Sequence, residues 1–273
     1  MLKHHTLSLS EISTVGASFA DDLGAYHAAG FDGIGIWEMK LGDDAADLTA
    51  LEASSLRVTN CVPLVPSILP NGLIAGPEDV DERVEALCDS IRRLARYEPE
   101  AVLCLTGAAG GRPEAEARRL VVEGLRRLAE AAASAGVRLA LEPVHPVQRD
   151  ALSLVTSIPE AIELLEEADV AHVGLLVDLW HLGHLPSIER DLGAHVARIA
   201  GLHVAEPDPA AVPERALPGK RAQELVALLT NAGWGGSLDV EIFGVPEEPS
   251  SFWALPPDEA ARRAYDAAVG VLP

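Results

Sequence analysis

Apolar residues and glycine fill Val173-Gly174-Leu175-Leu176-Val177, a carboxylate follows at Asp178, and an imidazole, His181, follows three residues later. An apolar run cut off this sharply predicts a strand buried on both faces of a parallel sheet. The signal recurs eight times, predicting strands over Thr6–Leu9, Gly33–Trp37, Arg57–Val62, Ala101–Leu105, Val137–Glu142, Val173–Asp178, Ile199–Val204 and Leu238–Phe243. Between them the apolar spacing becomes helical, over Asp21–Ala29, Asp43–Ser55, Pro77–Arg96, Pro113–Ala135, Pro159–Ala168, Ile188–Ala197, Ala222–Ala232 and Pro257–Val269. Proline and acidic residues open several of these helices, and Gly136 stands where a C-cap glycine belongs.

Eight strand–helix units share 273 residues, and no linker or low-complexity segment interrupts them. Alternation predicts parallel strands, and eight units predict closure into a single (β/α)8 TIM barrel spanning residues 1–273. An open doubly wound sheet would carry a Gly-x-Gly-x-x-Gly turn directly between a strand and a helix. The nearest stretch, Gly107-Ala108-Ala109-Gly110-Gly111, is followed by Pro113 and a more distant helix.

Composition narrows the function classes. Hydrophobic residues make up 48% of the chain and aromatics only 4%, so aliphatic side chains must fill the core. A net charge of −21 repels phosphate backbones and argues against nucleic acid as a partner. The absence of a run of about 18 apolar residues argues against a membrane span. The start, Met1-Leu2-Lys3-His4-His5, lacks the apolar core of a signal peptide. Cys61, Cys88 and Cys104 share no ligand spacing and read as buried thiols of a cytoplasmic protein.

The C-terminal strand ends of such a barrel carry its chemistry. Glu142 ends strand five, Asp178 ends strand six, His203 lies in strand seven and Glu241 in strand eight, at spacings of 36, 25 and 38 residues. Each spacing is about one β/α unit, so four successive strands deliver three carboxylates and one imidazole to one rim. Taken singly, a strand-end Glu orients a loop and a strand His is a satisfied core residue. Together, three converging carboxylates repel unless one protonates or a cation joins them. One divalent metal ion resolves this, and a donor set of carboxylates and one nitrogen without thiolate favours Mn²⁺ or Mg²⁺, with Co²⁺ and Zn²⁺ also compatible.

Leu141-Glu142-Pro143-Val144-His145-Pro146, Val177-Asp178-Leu179-Trp180-His181, Leu202-His203 and Val240-Glu241-Ile242 resemble the xylose isomerase-like TIM-barrel superfamily, the sugar isomerase and epimerase group. The resemblance spans nearly the whole chain and is strongest from Val137 to Phe243. It implies that Glu142, Asp178, His203 and Glu241 are the metal ligands and that Glu142 and Glu241 also form the catalytic acid/base pair. It further implies that His181 and Arg215 contact substrate. The chain departs from the pattern at Glu206, where relatives commonly carry Asp, and at Gly219-Lys220-Arg221, where they commonly carry Gly-x-Gly. The resemblance is compatible with a homo-oligomer.

In such a site a divalent ion acidifies the proton beside a substrate carbonyl, one carboxylate removes it and a second returns it. Return to the opposite face gives an epimer; return to the neighbouring carbon gives an aldose–ketose isomer; loss of a β-hydroxyl makes the site a lyase or dehydratase. The leading expectation is an isomerase or epimerase of a small sugar, keto-sugar or cyclitol, with a non-catalytic polyol-binding subunit as the other class. His145, in the loop after strand five, and Trp37 and Glu38, at the end of strand two, are further substrate-binding candidates. Trp180 reads as a packing residue and Trp253 as a lid or interface residue. His4, His5, His27, His172, His184 and His195 share no register and read as surface or helix residues, and Lys3, Lys40 and Lys220 are not placed for a hydride-shift mechanism.

Overall fold

Eight parallel strands close into a barrel in chain order: β1 (Leu7–Ser10), β2 (Gly33–Trp37), β3 (Arg57–Val62), β4 (Ala101–Cys104), β5 (Leu139–Leu141), β6 (Gly174–Asp178), β7 (Ile199–Val204) and β8 (Leu238–Val240), with β8 pairing back onto β1. The computed structural model describes residues 5–72 and 74–273; the readings of Lys3 and His4 lie outside them. Nine α-helices are found among the described residues: α1 (Phe19–Ala29), α2 (Asp44–Ser54), α3 (Val80–Leu94), α4 (Glu114–Ala135), α5 (Ile158–Glu167), α6 (Leu179–Leu182), α7 (Ile188–His195), α8 (Lys220–Asn231) and α9 (Pro257–Gly270). None is long and apolar enough to cross a membrane.

Local chemistry sets the element ends. The Ser18 side chain accepts from Asp21 N–H while Asp21 reaches back to Ser18, a reciprocal cap that starts α1 two residues earlier than the periodicity predicts. Asp79 caps α3, which excludes Pro77 and leaves Arg96 in the following 3-10 turn. Strands five and eight are shorter than predicted. Glu142 and Glu241 therefore stand one residue beyond the ends of β5 and β8. Helix α6 was not anticipated; Asp178 caps it by accepting Trp180 N–H at 2.7 Å, so one carboxylate ends a strand and starts a helix.

The barrel interior is divided by polarity. On one side Val62, Ala101, Leu103, Ala140, Leu176 and Ala200 pack as one apolar cluster. On the other, Asp239 accepts from Ser8 Oγ (2.6 Å) and Asn60 Nδ2 (2.8 Å), and Ser8 also pairs with Thr59 (2.8 Å). Gly35 makes room for this buried acid, because a Cβ there would collide with the Asp239 carboxylate. Gly107 has a similar reason: its φ is +79° and a Cβ would strike the Leu69 backbone.

Cys61, Cys88 and Cys104 are free and buried, as expected. His5 departs from its surface assignment: it is buried, with Nδ1 on Gly236 O and Nε2 on Thr230 Oγ1, both at 2.8 Å. Lys40 is committed to a buried corner after β1, donating to Glu11 O (3.2 Å) and Thr14 O (2.9 Å) and pairing with Asp22.

Glu206 has a clear structural task. Helix α8 has Gly219 at its N-cap position, which has no side chain to cap it. The Glu206 carboxylate accepts the N–H groups of Gly219 (2.9 Å), Arg221 (3.0 Å) and Ala222 (3.2 Å) instead, satisfying donors the helix leaves open. Glu206→Ala is expected to lower the unfolding free energy by about 1–2 kcal/mol in urea titration, the usual cost of a lost cap; an unchanged midpoint would show that water serves equally well.

Candidate active site

Strand register brings the predicted chemistry together. Asp178 of β6 pairs with His203 of β7, and His203 with Asp239 of β8. Glu142 follows β5 on one side and Glu241 follows β8 on the other. One ligand atom each from Glu142, Asp178 and His203 lies within 4.8 Å of the others, and all three residues are buried. Glu241 stands beside them, its Oε2 at 3.4 Å from His203 Nδ1.

His203 is oriented from beneath. Its Nε2 lies 3.3 Å from Asn60 Oδ1 and 3.6 Å from Asp239 Oδ2. The Asn60 amide donates to Asp239, so its oxygen is left to accept, which puts a proton on Nε2. Nδ1 then faces Glu142 Oε1 and Glu241 Oε2, each at 3.4 Å. Both Nδ1 and Glu142 Oε1 are buried without a hydrogen-bond partner. A bare nitrogen lone pair between two carboxylates is electrostatically untenable, so Nδ1 must hold either a proton or a metal ion. Burial works against a charged imidazole, but Glu241, Glu142 and Asp239 outweigh it and lift His203 to about 10. Burial pushes Glu142 up to about 7, against the pull of His203. The two unpartnered atoms and the carboxylate-and-imidazole donor set fit a divalent cation among Glu142, Asp178 and His203.

Arg215 is the second cation of the site. It reaches in from the loop after β7, donating from Nη1 to Asp178 Oδ2 (2.7 Å) and Glu241 Oε2 (2.6 Å). Its guanidinium carbon lies 4.7 Å from the Trp180 ring centroid and 4.2 Å from that of Phe243, a stacked clamp. Its backbone N–H donates to Phe243 O at 2.8 Å, tying the loop to the end of β8. Burial disfavours the Asp178 carboxylate, yet Arg215, His181 and His203 hold its pKa below the ordinary value.

His181 accepts the His145 N–H on Nδ1 at 3.0 Å, so its own proton sits on Nε2, which lies 3.5 Å from both Asp178 Oδ2 and Arg215 Nη2; the residue lines the cleft. Burial lowers its pKa to about 3, which leaves it neutral and a hydrogen-bond donor near pH 7. The His145 ring is not at the cleft. It stacks on His184 with centroids 4.4 Å apart and turns Nε2 to Asp208 O at 3.2 Å, so the residue positions His181 through its backbone and does not offer its ring to substrate. Glu38 also departs from expectation: Leu64 N–H (2.8 Å) and Arg93 (3.2 Å) occupy its carboxylate, and it pins the loop after β3. Trp37 does line the cleft, with its indole N–H on Ser10 Oγ at 3.0 Å. Trp253 packs on Phe243 and donates to Ile242 O at 3.2 Å.

The cleft over these groups has a volume of about 490 Å³. Sequence reasoning missed Asp239, although its alternation with Glu241 along one strand puts both on one face. It also missed Asn60 and Gln148, and it read Trp180 as packing only; no local signal marks Asn60, Gln148 or the arginine clamp.

Residues 23–267 match a family model described as "Xylose isomerase-like TIM barrel". No curated protein matches the chain by sequence. Among solved structures, protein SMc04130 from Sinorhizobium meliloti 1021 superposes with a TM-score of 0.84 at 19% identity, covering 97% of this chain and 98% of that one. An IOLI protein with a bound zinc atom gives 0.78 at 21% identity over 97% of both chains. D-allulose 3-epimerase from a Methylomonas species gives 0.78 at 19% identity over 99% of both. At these identities the likeness to solved structures shows the fold alone.

Arg215→Met would leave Asp178 and Glu241 buried without their cation. Its expected cost in metal-free protein is about 3–5 kcal/mol by denaturant unfolding, as for other broken buried pairs, with partial recovery on adding Mn²⁺. A loss below about 0.5 kcal/mol would mean the guanidinium is not what balances these acids.

Proposed function

Since the chain belongs to the xylose isomerase-like TIM barrel family, we propose that it is a divalent-metal-dependent isomerase or epimerase of a small sugar, keto-sugar or cyclitol. The observation that carries this reading is the pair of unpartnered buried atoms, His203 Nδ1 and Glu142 Oε1, facing one another across 3.4 Å with Glu241 alongside. A divalent cation held by Glu142, Asp178, His203 and Glu241, Mn²⁺ or Mg²⁺ by preference, would supply Lewis-acid polarisation of two neighbouring substrate oxygens.

The chain's own groups do the proton work. Glu142, pushed up to about 7 by burial, exchanges a proton readily near neutral pH, which suits a general acid/base. Glu241 approaches from β8, three strands away around the mouth, so the two carboxyls reach a bound carbon from different sides. Removal of the proton beside a carbonyl by one of them leaves an enediolate, and delivery by the other sets the stereochemical outcome. His181 keeps a neutral imidazole whose Nε2–H, beside Asp178, would donate to a substrate oxygen on which negative charge grows. Arg215 holds Glu241 in place through Oε2 and is itself immobilised by Trp180 and Phe243. Trp37 and Phe243, packed edge to face at 5.9 Å, close the side of the mouth next to Glu241.

The reading is tested by incubating Mn²⁺-loaded protein with a panel of keto-sugars in deuterated water and following deuterium uptake beside the carbonyl by NMR. Uptake into at least one is expected, slowed about a hundredfold or more in Glu142→Gln and in Glu241→Gln. Uptake that persists unchanged in both variants would remove the two glutamates from the reaction.

A further inference from the structure

Four polar side chains lining the cleft, Glu142, His181, Arg215 and Glu241, belong to the charged end. The rest of the lining includes an apolar wall of Trp37, Val62, Ile74, Leu103, Leu105 and Leu152. The backbone of that wall is largely engaged: Leu105 N–H donates to Pro66 O (2.7 Å) and Leu105 O accepts from Ile68 (3.1 Å). Outside these four, the described lining carries two buried polar atoms without a partner, Gln148 Oε1 and, beside Arg215, Trp180 Nε1.

A second cleft of about 520 Å³ shares Trp37, Val62 and Ile74 with the first and carries the same character outward. All the residues lining it are apolar or glycine, and they include Met39 and Leu64, which are 57% and 56% exposed. The apolar surface thus runs from the barrel mouth, over the loops after β2 and β3, to solvent.

A free sugar buries hydroxyls along its whole length, and each one buried without a partner costs about 1–3 kcal/mol. This cleft offers partners at the charged end, where the Trp180 indole N–H adds a donor beside Arg215, and a single side-chain amide elsewhere. We infer that the substrate is a keto-sugar or other α-hydroxyketone whose far half is an apolar, ring-sized substituent seated between Trp37, Ile74 and Leu105. The inference rests on the proton-transfer reading for the identity of the head group; the tail is argued from the wall alone. The head meets the charged end and the tail gains from burial against the wall.

Two probes with the same hydroxymethyl-ketone head separate the terms: 1-hydroxy-4-phenylbutan-2-one and L-erythrulose. Their affinities for Mn²⁺-loaded protein are measured by calorimetry, and their deuterium uptake is followed in parallel. The phenyl probe is expected to bind about tenfold or more tightly, and Ile74→Ser to narrow that ratio by weakening the phenyl probe. Equal or tighter binding of erythrulose would overturn the inference, and exchange into it would leave the proton-transfer reading standing. Preference for the phenyl probe without exchange into either would uphold the inference and sink the proton-transfer reading. Binding of neither probe would overturn the inference.

Discussion

Four buried carboxyl groups, Glu142, Asp178, Asp239 and Glu241, converge at one end of this barrel, and the mouth of the molecule is arranged around balancing them. Acids this close and this dry repel, and burial alone favours their neutral forms. Two fixed groups oppose that tendency. Arg215 spans Asp178 and Glu241, and His203 lies among Glu142, Glu241 and Asp239. The balance is incomplete at one place, between His203 Nδ1 and Glu142 Oε1, where neither atom has a partner. That gap is the chemical feature from which the proposed function follows.

The fold serves this arrangement from below and from the side. Asp239, Asn60 and Ser8 form a buried layer that fixes the face His203 presents, and Gly35 gives that layer its space. His145 fixes the tautomer of His181 through its backbone, while the Trp180 and Phe243 rings both pack against the Arg215 guanidinium. The groups nearest the reacting centre are thus held by neighbours that do not themselves react, which keeps the charges pre-arranged. Across the barrel the apolar half, from Val62 to Leu176, contributes shape in place of charge. The polarity divide along the interior continues as the divide across the cleft.

Much of this was legible in the sequence. Buried parallel strands read as apolar runs, so all eight were visible, and a polar residue ending such a run stands out; Glu142, Asp178, His203 and Glu241 were found that way. The limits are equally physical. Strand ends are set by hydrogen bonding across the barrel, not by local pattern, so β8 ends at Val240, before Ile242 and Phe243, with Ile242 N–H turned to Ser13 Oγ at 2.9 Å. Helix α6 is a single turn created by its Asp178 cap, too short to leave a period. Glu38 and His145 sit where strand-end and loop logic expects substrate contact, but long-range partners, Arg93 and Asp208, claim their side chains. His5 looked like part of a polar terminus, yet Thr230 and Gly236, more than two hundred residues away, bury it.

The claim on which the rest depends is that the gap at His203 and Glu142 takes a divalent ion in exchange for protons. Burial holds Glu142 at about 7, and the surrounding carboxylates, against burial, hold His203 at about 10, so in the metal-free protein His203 is protonated through the neutral range and Glu142 becomes protonated as the pH falls below about 7. Metal uptake must displace those protons, and its apparent affinity must rise with pH. Calorimetric titration of Mn²⁺ into metal-free protein, in buffers of different ionisation heat at pH 6 and pH 8, measures this directly. The account predicts about one ion per chain, proton release to the buffer, tighter binding at the higher pH, and severe weakening in His203→Asn. Absence of saturable binding, or binding that His203→Asn leaves intact and that releases no protons, would contradict it.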